Sequence, residues 1–343
     1  MEPKASFVDA MRAQPENLDL ARETVLRDLA AASLPRWGAG DSVALLAMGA
    51  SLNSAHTLVA ALAAAGRVAV PYVASDVADG LAVVGADHTI VVSESGRSPE
   101  PLAAARTVTA GSRIGISNFP EQPIKDEVDA VLGLGGFPDS PVYTSGFTAT
   151  ILAYALLLDG VGALDAAEEA ARIPSRAAEA LRDYAEVAET IGRVLAGATT
   201  IDVVGRGGSL TAASELSLMV REGLRTPSTA FETFQYLHGP MEVLSADDAL
   251  VVFGDGRELS IPSSVLEAGV PVVLVTSADP ASVPGAGHAN LTVVTLPAGL
   301  GVFERAVVET VIGQLAVAAA IQHKPYALED FLYHQDDTKL PVR

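Results

Sequence analysis

His88-Thr89-Ile90-Val91-Val92 runs directly into Ser93-Glu94-Ser95-Gly96-Arg97-Ser98, and Pro99-Glu100 then opens a stretch whose apolar residues, from Leu102 onward, recur at helical spacing. A β-branched apolar run reads as a strand, and a proline in the first turn marks the start of a helix. A strand passing through a short loop into a helix is half of a βαβ unit. Working outward, the same alternation recurs: strand-like 43–48 before helical 58–65, then 88–92 before 102–108, then 113–117, 130–134 and a long helix from Thr148. It starts again at 201–204 with a helix over 211–224. The strand 249–253 precedes the helix 263–268, and strands 272–276 and 291–296 precede a helix over 302–321. Two similar α/β halves, each built on a mainly parallel doubly wound sheet, are expected.

The flanks read differently. Residues 6–31 predict one or two amphipathic helices, with Met11, Leu18, Ala21, Val25 and Leu29 on one face, and 164–195 carries Ala, Glu and Arg at helical spacing broken at Pro174. The expected organisation is N-terminal helices over 1–35, a first domain over 36–165, connecting helices over 166–198 and a second domain over 199–326. The polar tail, 327–343, would lie over the active site.

Composition bounds the function. The chain has 343 residues, which suits two domains, and 49% of them are hydrophobic against 19% charged, the composition of a folded protein. Its 22 Lys and Arg face 42 Asp and Glu, a formal charge of −20, with no basic stripe to neutralise phosphates along a duplex, so neither nucleic acid nor an anionic membrane is an expected partner. Cysteine is absent, which removes disulfides, thiolate nucleophiles and cysteine metal sites. No apolar run approaches a membrane span and the first twenty residues lack a secretory core, so a cytoplasmic location is expected.

Three segments could carry chemistry. The loop Ser93–Ser98 would present hydroxyls and backbone N–H groups to an anion at a helix N-terminus, although on its own it reads equally as a capped, solvated loop. Gly49-Ala50-Ser51 is a similar turn after the first strand. Gly205-Arg206-Gly207-Gly208-Ser209 follows a strand but lacks the third glycine of a dinucleotide fingerprint, and a tight turn accounts for it. Glu215 and Glu222, seven residues apart on one predicted helix, precede a loop with Glu232, Gln235 and His238-Gly239-Pro240. Carboxylate and imidazole together suit proton transfer beside a carbonyl, while a glutamate on an amphipathic helix is more often a solvated face. His56 and His88 read as packed or surface histidines, and no cluster has metal-ligand spacing.

Together, these segments resemble the sugar isomerase (SIS) family over nearly the whole chain, in particular the two-domain isomerase half of glucosamine-6-phosphate synthase and its stand-alone phosphosugar isomerase and deaminase relatives. Met11-Arg12-Ala13-Gln14-Pro15 resembles the family's opening Gln-Pro helix, Met48-Gly49-Ala50-Ser51 its Gly-Thr-Ser turn, and Ser93-Glu94-Ser95-Gly96-Arg97-Ser98 its phosphate loop. Ser117-Asn118 resembles the Thr-Asn that follows, and Gly205-Arg206-Gly207 the Gly-Arg-Gly of the second domain. Arg221-Glu222 resembles the segment bearing the catalytic glutamate, and His238-Gly239-Pro240 the His-Gly-Pro bearing the ring-opening histidine; the 16-residue interval between Glu222 and His238 equals the family spacing. The resemblance implies two three-layer αβα domains and an isomerase for a six-carbon sugar with a terminal anion, working without metal or organic cofactor. It implies Glu222 as the C1/C2 proton carrier and His238, donated across a homodimer interface, as the ring opener. Gly49, Ser51, Ser93, Glu94, Ser95, Arg97, Ser98, Thr144, Gly207 and Lys339 are the residues expected around the substrate.

Departures from the family bear on the reaction. Glu94 stands where the family usually has Gln, and a carboxylate facing a phosphate is repulsive unless it turns away or is paired, Arg97 being the obvious partner. Met219 replaces a lysine. The family's C-terminal Schiff-base lysine has no clean match, since alignment on Pro325 puts Tyr333 near its position, with His334 beside it and Lys339 in an unfamiliar context. Glu94 leaves room for a terminal sulfonate instead of a phosphate. With no glutaminase domain and no cysteine nucleophile, amination from glutamine is not expected. The alternatives are an amino-sugar-6-phosphate deaminase or fructosamine-6-phosphate deglycase, and a non-catalytic sugar-phosphate sensor.

Overall fold

The computed structural model describes residues 4–109, 111–335 and 337–341; the first three residues of the expected N-terminal segment, and Asp336, Val342 and Arg343 of the expected tail, lie outside the described residues. The chain forms two compact units: Met1–Ser175 together with Leu332–Arg343, and Arg176–Phe331.

In the first unit, β1 (Val43–Ala47), β2 (Ala69–Val73), β3 (His88–Val92), β4 (Ser112–Ser117) and β5 (Ala130–Gly133) form a parallel sheet in the order β2-β1-β3-β4-β5. β1 and β3 are buried along their whole length, the pattern of inner strands covered on both faces. Leu46 and Val91 on these strands pack with Leu102, Ala105 and Ile124. The helix Ser145–Gly160 is almost wholly buried and packs on the helix Gln14–Ala31, whose Leu18, Ala21 and Val25 are the buried face that the spacing predicts. A short helix, Phe7–Arg12, precedes it, capped by the Ser6 hydroxyl, which accepts from Asp9 N at 3.1 Å.

The second unit repeats the plan. β6 (Ile201–Gly205), β7 (Ser228–Glu232), β8 (Ala249–Phe253), β9 (Val272–Thr276) and β10 (Leu291–Thr295) form a parallel sheet in the order β7-β6-β8-β9-β10. Val204, Leu250, Val252 and Leu274 pack with Tyr236 and Ile261. The helix Val302–Ile321 packs against Ala185–Gly197 and Ser209–Met219.

Three sequence expectations change. The strands β2 and β7, both at a sheet edge, were not expected; partial exposure breaks their hydrophobic pattern, and β2 also carries Pro71, which an edge strand tolerates. The helix Ala167–Asp183 runs through Pro174 without a break, with Ala170, Ile173 and Ala177 buried around it, so packing overrides the local penalty. The helix expected over 211–224 is an α-helix over Ser209–Met219 that widens into a π-helical turn over Val220–Leu224.

Candidate active site

The strand order places a switch point between β1 and β3, where connections leave in opposite directions and ligands of doubly wound sheets bind. The turn after β1 starts at Gly49, whose φ of +54° favours glycine, and leads to a partly exposed Ser51. The loop after β3 is the serine segment. Ser93 and Ser95 are buried, and the Ser93 hydroxyl donates to Ser98 Oγ at 3.2 Å and accepts from Ser98 N at 3.3 Å, while Ser95 Oγ accepts from Arg97 N at 3.3 Å. The loop is thus folded back on itself by its own hydroxyls at the start of the helix Pro99–Thr107. Gly96 makes this turn possible: its φ is +65°, and a Cβ there would stand 2.9 Å from both Phe119 O and Gln122 Cβ.

Glu94 turns inward. It is 8% exposed, and its Oε1 accepts from Asn118 Nδ2 at 3.0 Å. Asn118 is itself fixed, donating to Phe137 O at 2.9 Å and accepting from Gly136 N at 2.8 Å. Arg97, expected as the Glu94 partner, sends Nη1 to Leu340 O at 2.9 Å, and Leu340 N donates back to Arg97 O at 2.9 Å. Thr144 is buried, and its hydroxyl donates to Asp139 Oδ1 at 2.7 Å. Asp139 also accepts from Gly146 N at 2.6 Å, and burial pushes its carboxyl above the ordinary range despite these donors.

Leu340 of the tail is thereby held at the serine loop, with Lys339 next to it in the chain. Lys339 Nζ donates to Tyr143 OH at 3.2 Å and stands 5.8 Å from that ring's centre, whereas Tyr333 is 85% exposed. The order Lys339-Leu340 beside Arg97 is a tertiary placement that no local spacing indicates. A cavity of about 350 Å³ opens beside Asn118, lined by Leu20, Phe119, Pro120 and Gln122.

In the second unit, Gly207 has φ +57° with open space around it, and Gly205 allows close packing on the following turn, where a Cβ would meet Ser209 O at 2.8 Å. Arg206 pairs with Glu232 at 3.4 Å and lies over the Phe234 ring. Glu222 occupies the π-helical turn, a widened geometry found often at functional sites. Its carboxyl is partly buried, and desolvation pushes it up to about 7. Glu215 is fully buried, and the intervening π turn means that seven residues no longer equal two α-turns.

His238 is exposed at the end of the helix Thr233–Leu237. That short helix is pinned at several points: Glu232 accepts from Phe234 N and Gln235 N, Thr233 Oγ1 donates to the buried Glu258 at 2.5 Å, and the buried Tyr236 donates to Asp202 at 3.0 Å. Glu258 and Asp202 were not singled out in the sequence; isolated acids beside strands carry no local signal for this bracing. Among the described residues no cluster could hold a metal ion, and no helix is long and apolar enough to cross a membrane.

Comparison with known proteins agrees with the sequence resemblance. No family model matches the chain. It is 26% identical over 253 residues to glutamine–fructose-6-phosphate aminotransferase (isomerizing) of Bradyrhizobium diazoefficiens, covering 68% of this chain and 41% of the relative, so the chain spans well under half of that protein's length. Among solved structures, the C-terminal domain of glucosamine-fructose-6-phosphate aminotransferase from Francisella tularensis matches with a TM-score of 0.81 at 20% identity, covering 94% of this chain and 97% of the other. Glucosamine-6-phosphate deaminase from Thermotoga maritima matches with a TM-score of 0.73 at 16% identity, covering 96% and 98%. The chain thus has sequence relatives among these aminotransferases, and its fold, two parallel five-stranded sheets flanked by helices, is that of the C-terminal domain of one of them.

Proposed function

Proceeding from this kinship with the isomerase domains of fructose-6-phosphate aminotransferases, we propose that the chain interconverts the aldose and ketose forms of a six-carbon sugar bearing a terminal anion. The anion would be held by the hydroxyls of Ser51, Ser93, Ser95 and Ser98, in a loop whose nearest carboxylate, Glu94, is drawn inward by Asn118. His238 would open the ring by moving a proton to the ring oxygen. Glu222 would then take the C2 proton of the open aldose; the C–H electrons form the C1=C2 bond of an enediol, and the C1 carbonyl oxygen takes up a proton from solvent to become a hydroxyl. Returning the proton from Glu222 to C1, while the C2 hydroxyl gives its proton to solvent and becomes a carbonyl, completes the ketose and balances the proton taken up at C1. The observation carrying this reading is Glu222 itself: a carboxyl on a π turn, pushed by burial up to about 7, holds and releases a proton near neutral pH. Exposed His238 suits a group delivered to a second copy, and the reading includes a homodimer with shared sites.

A second reading draws on Lys339. Its neighbour Leu340 pairs with Arg97 of the serine loop while its own amine reaches Tyr143, and a lysine amine suits imine chemistry, as in release of an amine from an amino-sugar 6-phosphate or a fructosamine 6-phosphate. One experiment separates the two. Proton NMR in deuterated buffer with glucose 6-phosphate, fructose 6-phosphate, glucosamine 6-phosphate, fructosamine 6-phosphate and 6-sulfonated glucose follows C2 exchange and amine release together. Exchange without amine release is the expected result; amine release selects the second reading, and binding without exchange sinks both.

A further inference from the structure

The π-helical turn that carries Glu222 ends in a conformation that residues with a side chain avoid. Arg225 has φ +52° and ψ +32°, the only non-glycine with a positive φ among the described residues. Such a backbone persists where its surroundings over-determine it, and functional sites are where it collects. Here the surroundings come from the segment that follows the last helix of the same unit. The Tyr326 hydroxyl donates to Leu224 O at 2.6 Å, satisfying a carbonyl at a helix end that has no partner within the helix. The guanidinium of Arg225 lies 3.9 Å over the Tyr326 ring and donates to the Asp330 carbonyl. Leu328, 4% exposed, presses on Gly223, where a Cβ would stand 2.8 Å from Leu328 Cγ. Asp330 Oδ2 in turn accepts from Ala327 N at 3.2 Å and closes the segment into a turn. Gly223, Leu224 and Arg225, the three residues after Glu222, are therefore each fixed by a separate contact with residues 326–330.

We propose that Tyr326 and Arg225 are positioning residues for Glu222, locking the π turn so that its carboxylate is held at the distance proton transfer requires. The inference rests on the reading of Glu222 as the base. Neither side chain needs to touch the substrate; both act through the backbone of the turn. Proton transfer tolerates little misplacement, and an error of about 1 Å is enough to slow an enzyme by roughly two orders of magnitude.

The test uses the full chain, with fructose 6-phosphate as the probe and its C1-proton exchange in deuterated buffer as the rate. Tyr326→Phe removes one hydroxyl and keeps the ring. It is expected to lower kcat by about 3- to 10-fold, the scale of one neutral hydrogen bond, with KM within about 2-fold. Amide hydrogen exchange should speed up over residues 220–226 and stay unchanged elsewhere. Arg225→Gly, which accepts the left-handed backbone without strain but loses the guanidinium, should act in the same direction. The proposal is overturned if both variants keep the kcat of the parent while Glu222→Gln is inactive. It is equally overturned if kcat and KM shift together with protection lost throughout the unit, the mark of a merely structural role. If Glu222→Gln still exchanges the C1 proton, the base assignment itself has failed and the positioning role falls with it, so that control tells the two failures apart.

Discussion

Between the first sheet and the second, strand order repeats while the loops at the two switch points diverge in chemistry. After β3 the chain offers Ser93, Ser95 and Ser98 around a left-handed glycine, with the one carboxylate, Glu94, bound inward by Asn118. After β8 the corresponding loop offers Asp255, which is already fully engaged: it accepts from Thr276 Oγ1 and Ser277 N at 2.7 Å and from Ser277 Oγ at 2.6 Å, and it pairs with Arg305. Burial would raise its carboxyl, but these donors, Arg305 foremost, hold it well below the usual range. Arg305 also donates to Glu309 at 2.8 Å, and Ser209 at the start of the neighbouring helix donates to the same carboxylate at 3.0 Å. The second cradle therefore holds the protein's own carboxylates, whereas the first, on the reading proposed above, offers its hydroxyls to an outside anion. Topology fixes where a site can form, and side chains decide whether it stays open.

The comparison can be broken most directly at Glu222, the group that gives the second unit its proposed chemistry. Glu222→Gln should cut proton exchange by about 10³-fold, within the range for loss of a general base, while calorimetry shows sugar-phosphate affinity unchanged; a surviving rate would place the base elsewhere. Arg305→Ala should strand Asp255 and the buried Glu309 without their cation and lower unfolding stability by roughly 3 kcal/mol in a denaturant titration. Anion affinity should not move, and if it collapses the second switch point is not closed.

Acidity sharpens the same contrast. Glu222 must be deprotonated to act and its carboxyl sits at about 7, so kcat/KM should fall about tenfold per pH unit below that value; a profile flat down to pH 5 would remove it as the base. The stability sign is the opposite of a salt-bridged acid. The folded carboxyl holds its proton up to about 7 against 4.5 for a freely solvated glutamate, so Glu222 draws stability down as pH rises from 4.5 to about 7 and no further above it. At the first switch point, Ser95→Ala should weaken anion binding by about 1 kcal/mol, and Ser209→Ala at the second should leave it alone, both read by calorimetry; equal effects would erase the distinction between the loops. The smallest expected change is Glu94→Gln, which should tighten a 6-phosphate about 3-fold more than a 6-sulfonate through the charge removed behind the loop. Equal shifts for the two anions would show that Glu94 does not sense their charge.

Much of this was legible in local sequence. Buried strands such as Val43–Ala47 and His88–Val92 are continuous apolar runs, and loops that present hydroxyls at a helix start must carry serine and glycine at the turn itself. Those signals lie in neighbouring residues, so the alternation, the two halves and the serine loop could be read directly, whereas the roles of Glu222 and His238 entered only through the resemblance and stand as proposals. The edge strands Ala69–Val73 and Ser228–Glu232 were not legible, because a half-exposed strand has no clean hydrophobic pattern and is defined by the partner it pairs with. Nor was the π turn, since its widening is held by Tyr326 and Leu328, about a hundred residues away along the chain. The inward turn of Glu94 depends on Asn118, and the place of Lys339 depends on Leu340 meeting Arg97. The sequence by itself determined the elements and the chemical groups, because propensity and periodicity are local; only the tertiary structure decided their orientation and charge state, because desolvation and bracing come from residues remote in the chain.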